Sequence, residues 1–162
     1  MPVYARILVP LDGSDVDHAI LGHVIALARL CEAEVVLLRV AHFHTRDSKT
    51  HEVDEAEEVL AHAEGHFRGT GLRVRAVVGR GEIADDIVEQ ADMLHCDLIA
   101  MATHGHGTLG RLIYGSVVDK VRRASDVPLL LINARTTEVT EPGSGTSQGP
   151  GARAADRGDA LD

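Results

Sequence analysis

The chain alternates short apolar runs with longer segments whose apolar residues recur at helical spacing. The apolar runs predict five β-strands, at residues 5–12, 34–41, 72–79, 97–103 and 127–133. The segments between them predict four helices, around residues 19–31, 56–67, 83–94 and 116–124. Ser14 and Ser116 each precede an acidic residue by three positions, so we expect the first and last helices to begin at these serines.

This order of elements indicates an α/β fold. Continuous apolar strands separated by helices are typical of a parallel sheet that is covered on both faces, here an open sandwich of the doubly wound class. Such sheets bind ligands at the carboxyl ends of their strands. From Thr136 onward the chain consists largely of Gly, Pro, Ser, Thr and acidic residues. We therefore predict one domain over residues 1–135 and a disordered tail over 136–162.

Composition excludes several partners. A net charge of −9 and only two Phe and two Tyr argue against a nucleic-acid surface. Apolar runs fall short of the 18 residues or so that a membrane span needs, and the N-terminus lacks the apolar segment of a signal peptide. Cys31 and Cys96 lie in apolar segments without C-x-x-C spacing. We therefore expect a cytoplasmic protein with reduced, buried thiols.

Ten histidines raise the question of a metal site. Three pairs have suitable spacing, and each supplies two ligands with no third assured by the sequence. The sequence therefore predicts no metal site among them. The pairs are His42 with His44, His62 with His66, and His104 with His106.

A glycine cluster after the fourth strand can be aligned with three phosphate-binding motifs. Gly105, Gly107 and Gly110 form G-x-G-x-x-G, but a dinucleotide-binding turn follows the first strand and needs an acidic residue about 20 positions later, which is missing. A P-loop fails because Arg111 and Leu112 replace its Lys and its Ser or Thr.

The third alignment joins Gly105 to Gly115 and Ser116 across nine residues. A loop then returns to the N-terminus of a helix, whose N–H groups and dipole attract an anion. Glycines allow backbone amides to approach phosphate oxygens closely. This alignment favours a phosphate site built from a loop and a helix start.

With this spacing, the segments RILVPLDGS, EVVLLRV, DLIAMATHG and GSVVDKVRRASDVPLLLI resemble the nucleotide-binding branch of the universal stress protein family (UspA-like) over residues 3–134 or so. The family motif is G-x2-G-x9-G followed by Ser or Thr. The resemblance implies a five-stranded parallel sheet of order 3-2-1-4-5 and a homodimer that pairs the last strand of each subunit. Residues Val127 to Asn133 would then form the dimer edge, which explains an apolar edge strand.

The resemblance further implies an ATP site at the strand ends. The Asp12 carboxylate would accept from the ribose or the adenine amine, and the backbone at Val40 would pair with the base edge. Glycines and Ser116 would hold the phosphates, with Mg²⁺ or Mn²⁺ bound mainly by phosphate oxygens. The site residues implied are Pro10, Leu11, Asp12, Val40, Met101, Ala102, His104, Gly105, Gly115, Ser116 and Val117.

Ala102 stands where the motif has its first glycine. An alanine costs little if the backbone there has a negative φ, and it is disfavoured by roughly 1 kcal/mol or more if φ is positive.

Catalysis is not expected, because the sequence near Gly105 to Ser116 supplies no evident general base for water. We therefore expect ATP to act as a regulatory or sensing ligand in a stress response. One alternative is a dimeric interaction protein of the same fold that binds no nucleotide. Another is an ATP-consuming enzyme of the adenylating α/β type, whose S-G-G-x-D-S motif LDGSDVD resembles only distantly.

Overall fold

The computed structural model describes residues 3–41, 49–103 and 113–133. Five parallel strands form one sheet in the order β3-β2-β1-β4-β5, with helices on both faces. This confirms the predicted fold class and strand order. The elements are β1 (Arg6–Pro10), α1 (Val16–Cys31), β2 (Glu34–Ala41), α2 (Lys49–Gly65), β3 (Val74–Arg80), α3 (Ile83–Met93), β4 (Leu98–Thr103), α4 (Ile113–Ala124) and β5 (Leu129–Asn133).

Alternation along each central strand builds two apolar cores, one on each face of the sheet. In β1, Ile7 and Val9 face the core that α1 and α2 cover, and Leu8 faces the core that α3 and α4 cover. All three side chains are fully buried. Burial of such a side chain is worth about 1.5–3 kcal/mol, which is why the buried positions of the central strands are apolar.

Predicted helix starts differ from the structure. α1 begins at Val16, and its N-cap residue is Asp15, whose side chain makes no capping bond within the described residues. The predicted Ser14 cap is wrong, because the Ser14 hydroxyl donates to the Asp12 carboxylate at 2.6 Å instead. α4 begins at Ile113, so Ser116 lies inside its first turns and does not start the helix.

The helix α2 also begins earlier than its apolar residues indicated, at Lys49, and it includes the whole acidic run of residues 52–58. Cys31 and Cys96 are buried free thiols, as expected. In the part of the chain that the structure describes, every helix is too short or too polar to cross a bilayer. The predicted tail, residues 136–162, and the segment that carries His104 and Gly105 lie outside the described residues.

Candidate functional site

The sheet reverses its strand order at its centre. The chain runs from β1 outward through β2 to β3 and then returns to β4 on the other side of β1. The backbone pairing between β1 and β4 joins Ile7 to Leu98 and Leu8 to Ile99, and within the described strands it ends there. Pro10, further along β1, has no N–H to donate. Backbone pairing therefore stops short of the carboxyl edge at the switch point, where open α/β sheets bind their ligands.

The loop after β1 presents Asp12 at this edge. The Asp12 carboxylate accepts the Ser14 backbone N–H at 2.9 Å and its hydroxyl at 2.6 Å. The Leu11 N–H donates to the Leu38 carbonyl at 2.8 Å, which ties the loop to β2. These bonds hold the Asp12 side chain in one orientation beside the sheet edge.

Gly13 shapes this loop. Its φ is +82°, and a Cβ there would lie 3.0 Å from a methyl group of Val59 on α2. Both the backbone conformation and the contact favour glycine. The loop is therefore fitted closely against α2.

A second carboxylate, Asp17, closes the loop from α1. It accepts the Gly13 N–H at 2.8 Å and the Asp12 N–H at 3.4 Å. Burial, and after it the negative charge of Asp12, raise the pKa of Asp17 to about 6. Two neighbouring carboxylates therefore shape this loop, and backbone amides of Asp12 and Gly13 partly compensate the charge of Asp17.

The ends of β2 and β4 lie at the same edge. Val40 is the penultimate residue of β2, and Met101 and Ala102 precede the last residue of β4. Val40 and Met101 are buried in the core beneath α3 and α4, and Ala102 is buried in the opposite core. Backbone groups here, together with the few exposed atoms of these side chains, are what a ligand can reach.

Ala102 adopts extended backbone in β4, opposite Ile132 of β5. Among the described non-glycine residues, positive φ occurs at Glu32 and His95 and not at Ala102. The alanine at the first motif position therefore carries no backbone strain.

Gly115, Ser116 and Val117 lie in the first turns of α4. Gly115 and Ser116 are exposed, and Val117 is partly buried against the core. A Cβ added to Gly115 would meet no described atom within 4 Å. The first four N–H groups of an α-helix have no partner within the helix, so this end of α4 can bind an anion although Ser116 is not its cap.

Sequence reasoning missed a buried acid near the end of β3. Asp86 of α3 is 6% exposed, and its Oδ2 atom has no hydrogen-bond partner in the described part of the chain. Burial raises its pKa, and the Gln90 side-chain amide, 3.4 Å from Oδ1, partly offsets this. A Cβ on Gly79, the β3 partner of Val40, would lie 1.7 Å from Oδ2. The sequence signal that could have revealed this buried acid is an acidic residue next to the apolar positions of α3.

Comparison with known proteins agrees with this fold. The family model described as "Universal stress protein family" matches residues 4–133. A universal stress protein of Methanocaldococcus jannaschii is 29% identical over 140 residues, which cover 80% of this chain and 82% of the relative. The structure of a universal stress protein from Archaeoglobus fulgidus has a TM-score of 0.69 at 27% identity, covering 80% of this chain and 99% of that one.

A further structure of an Archaeoglobus fulgidus universal stress protein was solved in complex with dAMP. It has a TM-score of 0.64 and 25% identity, with 80% of this chain and 98% of that chain covered. The family match spans every strand and helix described above. The chain belongs to the universal stress protein family.

Proposed function

We propose that the carboxyl edge of this sheet binds ATP and that the nucleotide acts as a regulatory ligand in a stress response. The observation that carries the proposal is the position of the Pro10–Asp12 loop, the end of β2 and the end of β4 at one edge, beside the switch point. The dAMP complex of the similar Archaeoglobus fulgidus protein supports an adenine nucleotide as the ligand class.

Each part of the nucleotide has a chemically suitable partner. The Asp12 carboxylate, already oriented by Ser14, accepts from the ribose hydroxyls or the adenine amine. The backbone at Val40 pairs with the base edge. Gly115 and Ser116 at the start of α4 contact the phosphates; His104 and Gly105, which lie outside the described residues, are the other proposed phosphate contacts. Mg²⁺ or Mn²⁺ is held mainly by phosphate oxygens.

We treat ATP as a ligand and not as a substrate. In the described part of this edge, Asp12 and Asp17 both accept hydrogen bonds from the loop after β1. A general base must reach the proton that it removes; Asp17 holds the loop, and Asp12 is assigned to the ribose or the adenine amine. ATP hydrolysis, if measured, is expected to be slow.

We also propose a cytoplasmic homodimer through β5. This strand forms one edge of the sheet, and its Leu131 side chain is 46% exposed. An edge strand with an exposed apolar side chain is suited to pairing with a second copy. Sedimentation of Leu131→Lys should show a monomer where the unaltered protein is a dimer; an unchanged dimer would place the interface elsewhere.

Isothermal titration calorimetry with ATP tests nucleotide binding. Asp12→Ala should weaken the binding of ATP by about 10- to 100-fold, because a hydrogen bond to a charged group is worth roughly 1.5–3 kcal/mol. Asp15→Ala is the matched control, since Asp15 is an exposed carboxylate of the same loop and its side chain makes no capping bond to a described residue.

Three results would count against the proposal. The absence of heat at about 500 µM ATP would favour the interaction protein that binds no nucleotide. Equal losses in both variants would show that Asp12 has no specific role. Release of AMP and pyrophosphate would favour the adenylating enzyme.

A further inference from the structure

Three histidines meet where the start of α1 lies beside the end of α2. His18 comes from the first turn of α1, and His62 and His66 lie one helical turn apart on α2 and just beyond it. The His18 Nδ1 and His66 Nε2 atoms are 2.9 Å apart. One possible ligand atom from each of the three residues lies within 4.8 Å of the others. The sequence had paired His62 with His66 and lacked the third residue.

The hydrogen bond behind His66 orients its ring for metal binding. His66 Nδ1 lies 3.2 Å from the His62 carbonyl oxygen. A carbonyl oxygen only accepts, so this contact favours the tautomer with the proton on Nδ1; in the neutral ring the lone pair is then on Nε2, the atom that faces His18. Protein metal ligands commonly have this arrangement, in which a backbone carbonyl fixes the tautomer of a coordinating histidine.

The geometry needs little adjustment to hold a metal ion. With Zn–N distances of 2.0–2.1 Å, nitrogens in a tetrahedral site are separated by about 3.4 Å. The 2.9 Å between His18 Nδ1 and His66 Nε2 must widen slightly, and any separation near 4.8 Å must shorten. Rotation of side chains that are exposed or half-buried can make both adjustments. Three imidazoles suit Zn²⁺ among the common metals, and Ni²⁺ and Cu²⁺ next.

The surroundings leave room for a fourth ligand and supply negative charge. The histidines line a cavity of about 310 Å³. Asp15, the N-cap residue of α1, and Glu58 of α2 line it as well. A water molecule or one of these carboxylates can complete a tetrahedral site.

We propose that His18, His62 and His66 form a Zn²⁺ site that joins α1 to α2. It is separate from the nucleotide proposal, since it uses none of the residues assigned to ATP. Because a ligand that binds only the folded chain stabilises it, Zn²⁺ at 100 times its Kd should raise the melting temperature by roughly 5–10 °C.

The test is a titration of the full chain, free of any polyhistidine tag and of nucleotide, with Zn²⁺ and separately with Co²⁺. We expect the unaltered protein to bind one equivalent of Zn²⁺. His18→Gln and His62→Gln should each bind Zn²⁺ at least tenfold more weakly. Co²⁺ should show the intense visible bands of four-coordinate cobalt in the unaltered protein and lose them in both variants. His23→Gln, an exposed histidine of α1 outside the cluster, is the matched control.

The variants should fold, because His18 and His62 are exposed; melting curves without metal check this. Retention of the same Zn²⁺ affinity by His18→Gln would overturn the proposal, because a pair on α2 alone, or a site elsewhere, would then explain binding. The lack of any binding at about 100 µM Zn²⁺ would also overturn the proposal.

Discussion

Replacing Gly115 by alanine separates the nucleotide site from the stability of the fold. An added Cβ at this position meets no described atom within 4 Å. Alanine is favoured over glycine in a helix by about 0.5–1 kcal/mol. Gly115→Ala should therefore keep or raise the melting temperature, by about 1–4 °C.

The same methyl group should weaken the binding of ATP. A helical Cβ is tilted toward the N-terminus of its helix, so this methyl group projects toward the space in front of α4 where the phosphates are proposed to bind. If it prevents one charge-assisted hydrogen bond, the loss is about 1.5–3 kcal/mol, or about 10- to 100-fold in Kd. Calorimetry with ATP and a thermal melt without nucleotide measure the two effects on the same sample.

Gly22→Ala is the matched control. Gly22 also lies in a helix, α1, and a Cβ there also meets no described atom within 4 Å. It should gain similar stability and leave ATP affinity unchanged. If Gly115→Ala bound ATP within twofold of the unaltered protein, the start of α4 would not contact the phosphates. Equal weakening by Gly22→Ala would show that the loss does not report on the site.

Three further predictions concern the scaffold around the site. Gly79→Ala should destabilise the fold by about 2–4 kcal/mol in urea, because its Cβ would displace the buried Asp86 carboxylate, and Asp86→Ala in the same chain should recover part of this loss. Asp97→Ala should cost about 1–2 kcal/mol, because its carboxylate accepts the backbone N–H groups of residues 5 and 6 at 2.7 and 2.9 Å; Asp97→Asn should cost less. Burial raises the pKa of Cys96 to about 11, so the thiol stays protonated at pH 8, and iodoacetamide should label it at least 100-fold faster in the denatured chain; fast labelling of the folded protein would contradict this.

Most of the fold could be predicted because apolar periodicity is a local property. Each central strand is buried on both faces, so every residue from Val35 to Leu38 is apolar, and the alternation with helices then implies parallel pairing. Helix starts were less predictable. The signal at Ser14 is compatible both with a cap and with a turn, and the bond to Asp12 decides for the turn. Such competition between local hydrogen bonds is not visible in the spacing of residue types.

At the candidate site, the glycine spacing and the strand ends could be predicted, and the state of the backbone could not. The sequence left two outcomes open for Ala102, and they depend on the sign of φ. In the structure, β4 continues through Ala102 to Thr103 in register with β5, so alanine has an ordinary extended conformation. Any weakening of nucleotide binding at this position must therefore come from the volume of the methyl group and not from backbone strain.

The histidine cluster shows what spacing along the chain cannot detect. His62 and His66 are related by one helical turn, a local relation that the sequence displays. His18 joins them because α1 and α2, which precede and follow β2 in sequence, cover the same face of the sheet. The packing of α1 and α2 on this face places His18 beside His66. A metal ligand contributed from a second helix in this way can be recognised only once the fold is known.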